Sequence, residues 1–339
     1  MEHTEKKHQE IIQLFEKHFN EGVTEKTHLS SDGSDRKIIR LRSHTGNSSI
    51  GIINENPWEN RAFISFSEHF GKFGLNVPQI YGVSRDKKCY LMQDLGDSTL
   101  LNKVTERQNK GFGKTEIELY KRVIVELVRF QIEAGGTIDY SLCYQHAEFG
   151  RENMEQDLNY FQKRFLHYFY GSRLDENRIK DNFNIIIHEA LKVAPVYFLY
   201  RDFQSRNIML KDGELYFIDY QSGRKGALQY DLASLLYDAK ANVPQDVREE
   251  LIGYYISQAK KFITVDETEF RNRFWYFAVI RILQAMGAYG YLGIVKGKKK
   301  FLESIPYALV NIGIILNEKL SDTKLDYLRE IFKSIKYEA

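Results

Sequence analysis

Residues 200–221 read YRDFQSRNIMLKDGELYFIDYQ, and this stretch limits what the whole chain can fold into more than any other. Asp202 is followed five positions later by Asn207, then by an apolar run, a Lys-Asp-Gly turn, a second apolar run and Asp219. An Asp-Gly pair between two β-type runs predicts a tight hairpin, which would fix the polar residues at the ends of a small rigid unit. A carboxylate at the start of such a loop can accept a proton from an attacking hydroxyl. An amide oxygen can bind Mg²⁺ without adding charge, and a second carboxylate at a strand end can complete a metal site that bridges the phosphates of ATP. Taken one at a time, these residues read as turn formers. Their order and spacing point instead to phosphoryl transfer, with Asp202 as catalytic base and Asn207 and Asp219 as metal ligands.

The surroundings suit that chemistry. Residues 5–19 carry a helical apolar stripe from Ile11 to Phe19. Short alternating runs between about 27 and 93 (RKIIRLRS, SSIGIIN, KKCYLMQD) surround one longer helical stretch and predict a small antiparallel sheet with a helix. Beyond DLGDS (94–98) helical periodicity dominates, apart from the strands around the loop. The expected fold is α+β, a small sheet-rich lobe (1–95) followed by a large helical lobe (96–339) that carries the loop, with Leu95-Gly96 as the hinge. Lys plus Arg (48) nearly balances Asp plus Glu (46), so net charge gives no argument for nucleic acid or an anionic membrane as partner. Two cysteines without metal-ligand spacing and a polar N-terminus predict a cytoplasmic protein. The apolar stretches FAVIRILQAMGAYGYLGIV and IPYALVNIGIIL read as core helices, the first because it contains Arg281, and KGKKK (296–300) as a solvated loop. The sequence is compatible with a monomer.

YRDFQSRNIML resembles the H-x-D-x-x-x-x-N catalytic loop of protein-kinase-like small-molecule kinases, and FIDYQSG their metal-binding segment. YDLASLLYDA (230–239) is similar to the helix start of the aminoglycoside phosphotransferase and choline kinase superfamily, and no A-P-E segment of the protein-kinase type follows. SDGSDRKIIRL, YLMQDLGDSTLL and RILQAMGAYGYL add a resemblance to bacterial anomeric kinases of N-acetylmuramate and N-acetylglucosamine. The resemblance implies a protein-kinase-like bilobal fold, with an N-lobe (1–95) that binds nucleotide and a C-lobe (96–339) with the catalytic loop and acceptor site, ATP and Mg²⁺, and a small-molecule hydroxyl as acceptor. It leaves aminoglycoside, choline or homoserine kinases and a non-catalytic nucleotide-binding module as alternatives.

Three departures from the pattern stand out. Tyr200 stands where it has His, a position that orders the loop, and Ser222 replaces an acidic residue. Asn54 and Glu55 occupy the place of the lysine that holds ATP phosphates in kinases. Another cation must serve. Alternation puts Arg36, Arg40 and Arg42 on one face of RKIIRLR; the face either looks into the nucleotide cleft, with Arg36 or Arg40 on the phosphates, or is a solvated outer face. Its resemblance to an R-R-Y-F-R strand favours the cleft.

SSDGS (30–34) is the expected turn over the phosphates, with Gly33 allowing close backbone approach and Ser31 or Ser34 as donors. Backbone groups near Met92 to Asp94 would bond adenine. Asp231 would N-cap its helix, and in the superfamily the same residue buttresses the catalytic loop. For the acceptor, hydrogen-bonding groups beside aromatic faces are needed, which makes Arg151, Asp157 and Arg281 the candidates. The aromatic run Tyr160, Phe161, Phe165, Tyr168 and Phe169 has helical spacing and reads mainly as core.

Overall fold

The computed structural model describes residues 2–30, 36–106 and 112–337. The expected phosphate turn, with Ser31, Gly33 and Ser34, lies outside the described residues.

The chain opens with α1 (Glu2–Phe19), β1 (Glu25–Leu29), β2 (Lys37–Arg42), β3 (Ser48–Ile53), α2 (Pro57–Lys72), β4 (Ile80–Val83) and β5 (Cys89–Gln93). The strands form one antiparallel sheet in the order β1-β2-β3-β5-β4. The apolar stripe of α1 lies on this sheet, where Ile11 and Phe15 join Ile39, Leu41, Ile53, Cys89 and Leu91 in one buried cluster. Gly51 is what lets the helix come so close, because a Cβ there would sit 2.4 Å from the Ile11 side chain. Asn56 caps α2 by accepting from the backbone N–H of Trp58 and Glu59, and Pro57 follows at the first helical position. β1 escaped the sequence reading because EKTHL is an exposed edge without apolar alternation.

The remaining elements are α3 (Leu100–Thr105), α4 (Lys114–Val128), α5 (Arg151–Phe161), α6 (His167–Tyr170), α7 (Glu176–Ala190), β6 (Tyr197–Leu199), β7 (Ile208–Lys211), β8 (Glu214–Phe217), β9 (Arg224–Gly226), α8 (Leu228–Leu236), α9 (Gln245–Ala259), α10 (Glu267–Tyr289), α11 (Ile305–Ile314) and α12 (Asp326–Ser334). β7 and β8 form the expected hairpin, Lys211 opposite Glu214, with φ of 52° at Asp212 and 81° at Gly213. Two successive positive φ values are the signature of a type I′ turn and explain the Asp-Gly pair. β6 pairs with β9, which sequence patterning had not marked as a strand.

Two compact units emerge, neither continuous in sequence. The first joins Met1–Leu100 to Thr137–Ala147 and Arg206–Gly223, and the second contains the rest. The hairpin belongs to the first because Leu210 N donates to Ser98 O and Phe217 N to Asn76 O, both at 2.9 Å. In the second unit α10 is central and touches α5, α7, α8 and α11. The segment Glu267–Val295 is apolar and long enough to cross a bilayer by composition, yet its side chains from Phe270 to Leu283 are mostly buried against those helices.

Candidate active site

In the second unit β6 leads into the loop that carries Asp202. Tyr200, at the His position of the resembling pattern, is fully buried and meets the rings of Phe130 and Phe203 edge-on at 5.6 and 5.0 Å. It anchors the loop from within the core. Arg201 next to it has φ 82°, a conformation that a side-chain-bearing residue holds only when its surroundings impose it. Asp231 supplies that constraint by accepting from Tyr200 N at 2.7 Å and Arg201 N at 3.0 Å. Gln131 donates to the same carboxylate at 3.0 Å and accepts from the Tyr255 hydroxyl at 2.5 Å. Burial pushes the Asp231 carboxyl up to about 7, with these three donors opposing the rise. The expected N-cap role is not what Asp231 does: α8 begins at Leu228 with Ala227 as its cap, and the Asp231 side chain is spent on the loop.

The Arg201 guanidinium makes a two-pronged pair with Asp157, at 2.8 and 2.6 Å, and lies over the rings of Phe149 and Tyr230. Asp157 is thus occupied within the loop's support. Ser205 closes the loop, its N donating to Asp238 at 3.3 Å and its hydroxyl facing Tyr120 at 3.1 Å. Asp202 keeps its side chain about a third exposed, 31 %, with Gln204 donating to Oδ1 at 3.3 Å and Arg281 Nη2 standing 4.0 Å from the same oxygen. Arg151 is exposed and pairs with Glu155 on its own helix.

In the first unit Asp219 follows β8 with φ 72°. The next residue pins it: Tyr220 stacks on Phe63 at 4.9 Å, meets Phe70 edge-on, and its hydroxyl contacts Ser67. Asp219 accepts from Asn207 Nδ2 at 3.3 Å, Gln221 Nε2 at 2.8 Å and Arg36 Nη2 at 3.3 Å. Arg36 also pairs with Glu59 of α2 at 2.9 Å. Burial alone would lower the Arg36 pKa, but Asp219, Tyr90 and Glu59 outweigh it and raise it. Gln221 is buried, and its Oε1 has no hydrogen-bond partner among the described residues. An orphaned acceptor beside a carboxylate and an amide fits a hydrated cation, whose bound water can donate to it. No cluster of three or more His, Cys, Asp or Glu exists among the described residues. A sparse oxygen set of this kind suits Mg²⁺, which keeps waters and uses substrate phosphates as ligands.

Arg40 is placed differently. It is buried, with Nη2 donating to Asp94 at 3.1 Å, Asp97 at 2.8 Å and the Gly96 carbonyl at 3.2 Å. Ser48 also donates to Asp94, and Lys211 Nζ to the Asp94 carbonyl at 2.8 Å. Met92 sits in β5 between Ile50 and Ile80. Sequence reasoning had pointed to the segment around Arg281 and Gln284 for the acceptor but had not singled out Glu59, Gln221 or Ser234. Ser234 lies three residues past Asp231 and so shares its helix face, a signal that the spacing does contain.

A small antiparallel-sheet N-lobe and a helical C-lobe define a protein-kinase-like fold. The chain belongs to the phosphotransferase enzyme family (APH), which it matches over residues 55–268. It is similar to the N-acetylmuramate/N-acetylglucosamine kinase of Neisseria meningitidis, with 28% identity over 238 residues, 68% of each chain. The enzyme of the same name from Pseudomonas aeruginosa is 25% identical over 286 residues, 82% of this chain and 79% of that one. Among solved structures, spectinomycin phosphotransferase APH(9)-Ia in its AMP complex superposes with a TM-score of 0.59 at 13% identity, covering 97% of this chain and 99% of that one. Ethanolamine kinase from Plasmodium vivax gives 0.59 at 13% identity, covering 91% and 84%.

Proposed function

We propose that this phosphotransferase is a cytoplasmic, ATP- and Mg²⁺-dependent kinase that phosphorylates a hydroxyl of an amino sugar, with nucleotide bound by residues 1–95 and acceptor by 96–339. The observation that carries the residue assignment is the cluster of Asn207, Gln221 and Arg36 around Asp219, with Glu59 holding Arg36. Similarity to kinases of N-acetylmuramate and N-acetylglucosamine supports the acceptor class, and relatives in fold solved with AMP or ADP support the nucleotide. Asn207 and Asp219 would hold the metal, which supplies charge neutralisation on the phosphates. Arg36 takes the part of the missing lysine, held by Glu59 as that lysine is held by a helix glutamate in kinases. Arg40 is assigned to the hinge together with Asp94, whose backbone and that of Met92 line the adenine side, and Ser31, Gly33 and Ser34 to the turn over the phosphates. Asp157 supports the loop through Arg201, Arg151 is left to solvent, and Arg281 is kept for the acceptor. Asp202 orients the hydroxyl and takes its proton late in a loose transition state.

ADP release measured across N-acetylglucosamine, N-acetylmuramate, an aminoglycoside and choline tests the reading. Turnover is expected with the N-acetylated sugars, and Asp202→Asn should lower it by roughly 10³-fold while ATP affinity holds. Turnover confined to aminoglycoside or choline would overturn the acceptor assignment, and retained turnover in the variant would remove Asp202 from the mechanism.

A further inference from the structure

We propose that Arg281 is a catalytic residue of the acceptor site: its Nη2 donates to the oxygen that is phosphorylated and holds it against Asp202, which selects for neutral or anionic acceptors. The assignment rests on the kinase reading above and concerns residues of the second unit alone.

Two Arg–Asp pairs lie close together in that unit, and they differ. Arg201 closes on Asp157 with contacts of 2.8 and 2.6 Å. Arg281 stops 4.0 Å short of Asp202. Its guanidinium is held back by two clamps, Nε donating to Ser234 Oγ at 2.9 Å and Nη1 to Gln284 Oε1 at 2.5 Å. Arg281 is buried and its two clamps fix it, whereas Asp202 is about a third exposed, so the gap is open from the Asp202 side. A pair kept only for stability would close as its neighbour does, since a buried guanidinium gains most from direct hydrogen bonds to its carboxylate. A separation of 4.0 Å is too long for a hydrogen bond but admits one oxygen roughly 2.8 Å from each group, the charge-assisted distance.

Ser234 sits one helical turn beyond Asp231, so one face of α8 anchors the backbone before the base and also sets the arginine. The base and the donor are therefore registered to the same element. In the transfer, the acceptor O–H proton passes to Asp202 as the oxygen bonds to the γ-phosphorus. The bond from that phosphorus to the bridging oxygen breaks, and its electron pair leaves on ADP. Arg281 keeps its protons throughout and orients the hydroxyl so that its hydrogen faces Asp202. A fixed cation beside the reacting oxygen also disfavours acceptors that carry an ammonium near that hydroxyl, as aminoglycosides and choline do.

The test compares wild type, Arg281→Met and Ser234→Ala with N-acetylglucosamine and its cationic counterpart glucosamine, and measures ATP binding by calorimetry. Arg281→Met should lose about 10²-fold or more in kcat/KM for N-acetylglucosamine with ATP affinity changed less than twofold, and the preference for N-acetylglucosamine over glucosamine should narrow at least tenfold. Ser234→Ala should show the same two changes on a smaller scale, which decides the matter should the methionine variant not fold. Either variant retaining kcat/KM within threefold and the same sugar preference overturns the assignment. Wild type that phosphorylates no sugar would instead overturn the kinase reading and this assignment with it.

Discussion

Arg36 and Arg40 stand four residues apart on one run of chain and do different things. Period-two alternation puts both on one face, and nothing local separates them. What separates them is acidic partners contributed from far along the chain: Glu59 and Asp219 for Arg36, Asp94 and Asp97 for Arg40. Sequence patterning made the basic face legible but not its division of labour, because partners in a sheet are set by register and by loops that return from distant segments. The division gives opposite expectations for the two methionine variants. Arg36→Met should raise the KM for ATP about tenfold or more with a modest change in melting temperature. Arg40→Met should instead destabilise the fold by roughly 3–5 kcal/mol, since it leaves the buried Asp94 carboxylate without its cation, with only Ser48 and the Gly96 N–H still donating to it. Thermal unfolding and steady-state kinetics on the pair measure both, and parallel behaviour of the two variants would contradict the distinction.

The elements that sequence read best were those with a local signal. The β7–β8 hairpin followed from Asp212-Gly213, and the apolar stripe of α1 from its spacing. The long helical runs at 115–134 and 149–171 were also legible, though the first ends in a π-helical stretch, Arg129–Ala134, and the second is interrupted by one, Gln162–Leu166, that no propensity announces. The role of α8 was half legible. The motif marked Asp231, but the backbone N–H groups it accepts from belong to the loop 30 residues earlier. Its burial has a consequence for stability. The unfolded carboxyl titrates near 3.8 and the folded one near 7, so the folded state binds the proton more tightly. That contribution is fully present below pH 3.8 and is lost as pH rises through 7, by up to about 4 kcal/mol. Denaturant unfolding at pH 5 and pH 8 should show lower stability at pH 8, and Asp231→Asn should shrink the difference while lowering stability at pH 5. An unchanged difference in the variant would assign the pH dependence to other groups.

At the scale of the molecule, a sheet-rich beginning and a helical remainder were visible in the sequence, because the period of the apolar pattern changes near residue 95. That the sheet-bearing unit also takes in 137–147 and 206–223 was not visible, because those segments join it through tertiary contacts. Tyr220 is the clearest case, filling the space against Phe63, Phe70 and Ser67 from more than a hundred residues away. A fragment of residues 1–100 should therefore expose Phe63 and Phe70, bind a hydrophobic dye and unfold without a sharp transition; cooperative unfolding comparable to the full chain would show the later segments to be dispensable. The arginine between Glu59 and Asp219 reaches beyond this one protein. On the proposed reading, an acylating reagent aimed at a lysine amine on the nucleotide phosphates would meet a guanidinium at this position, permanently charged and unreactive. Silence from such a reagent at this position would then reflect the replaced side chain and carry no information about whether the protein binds nucleotide.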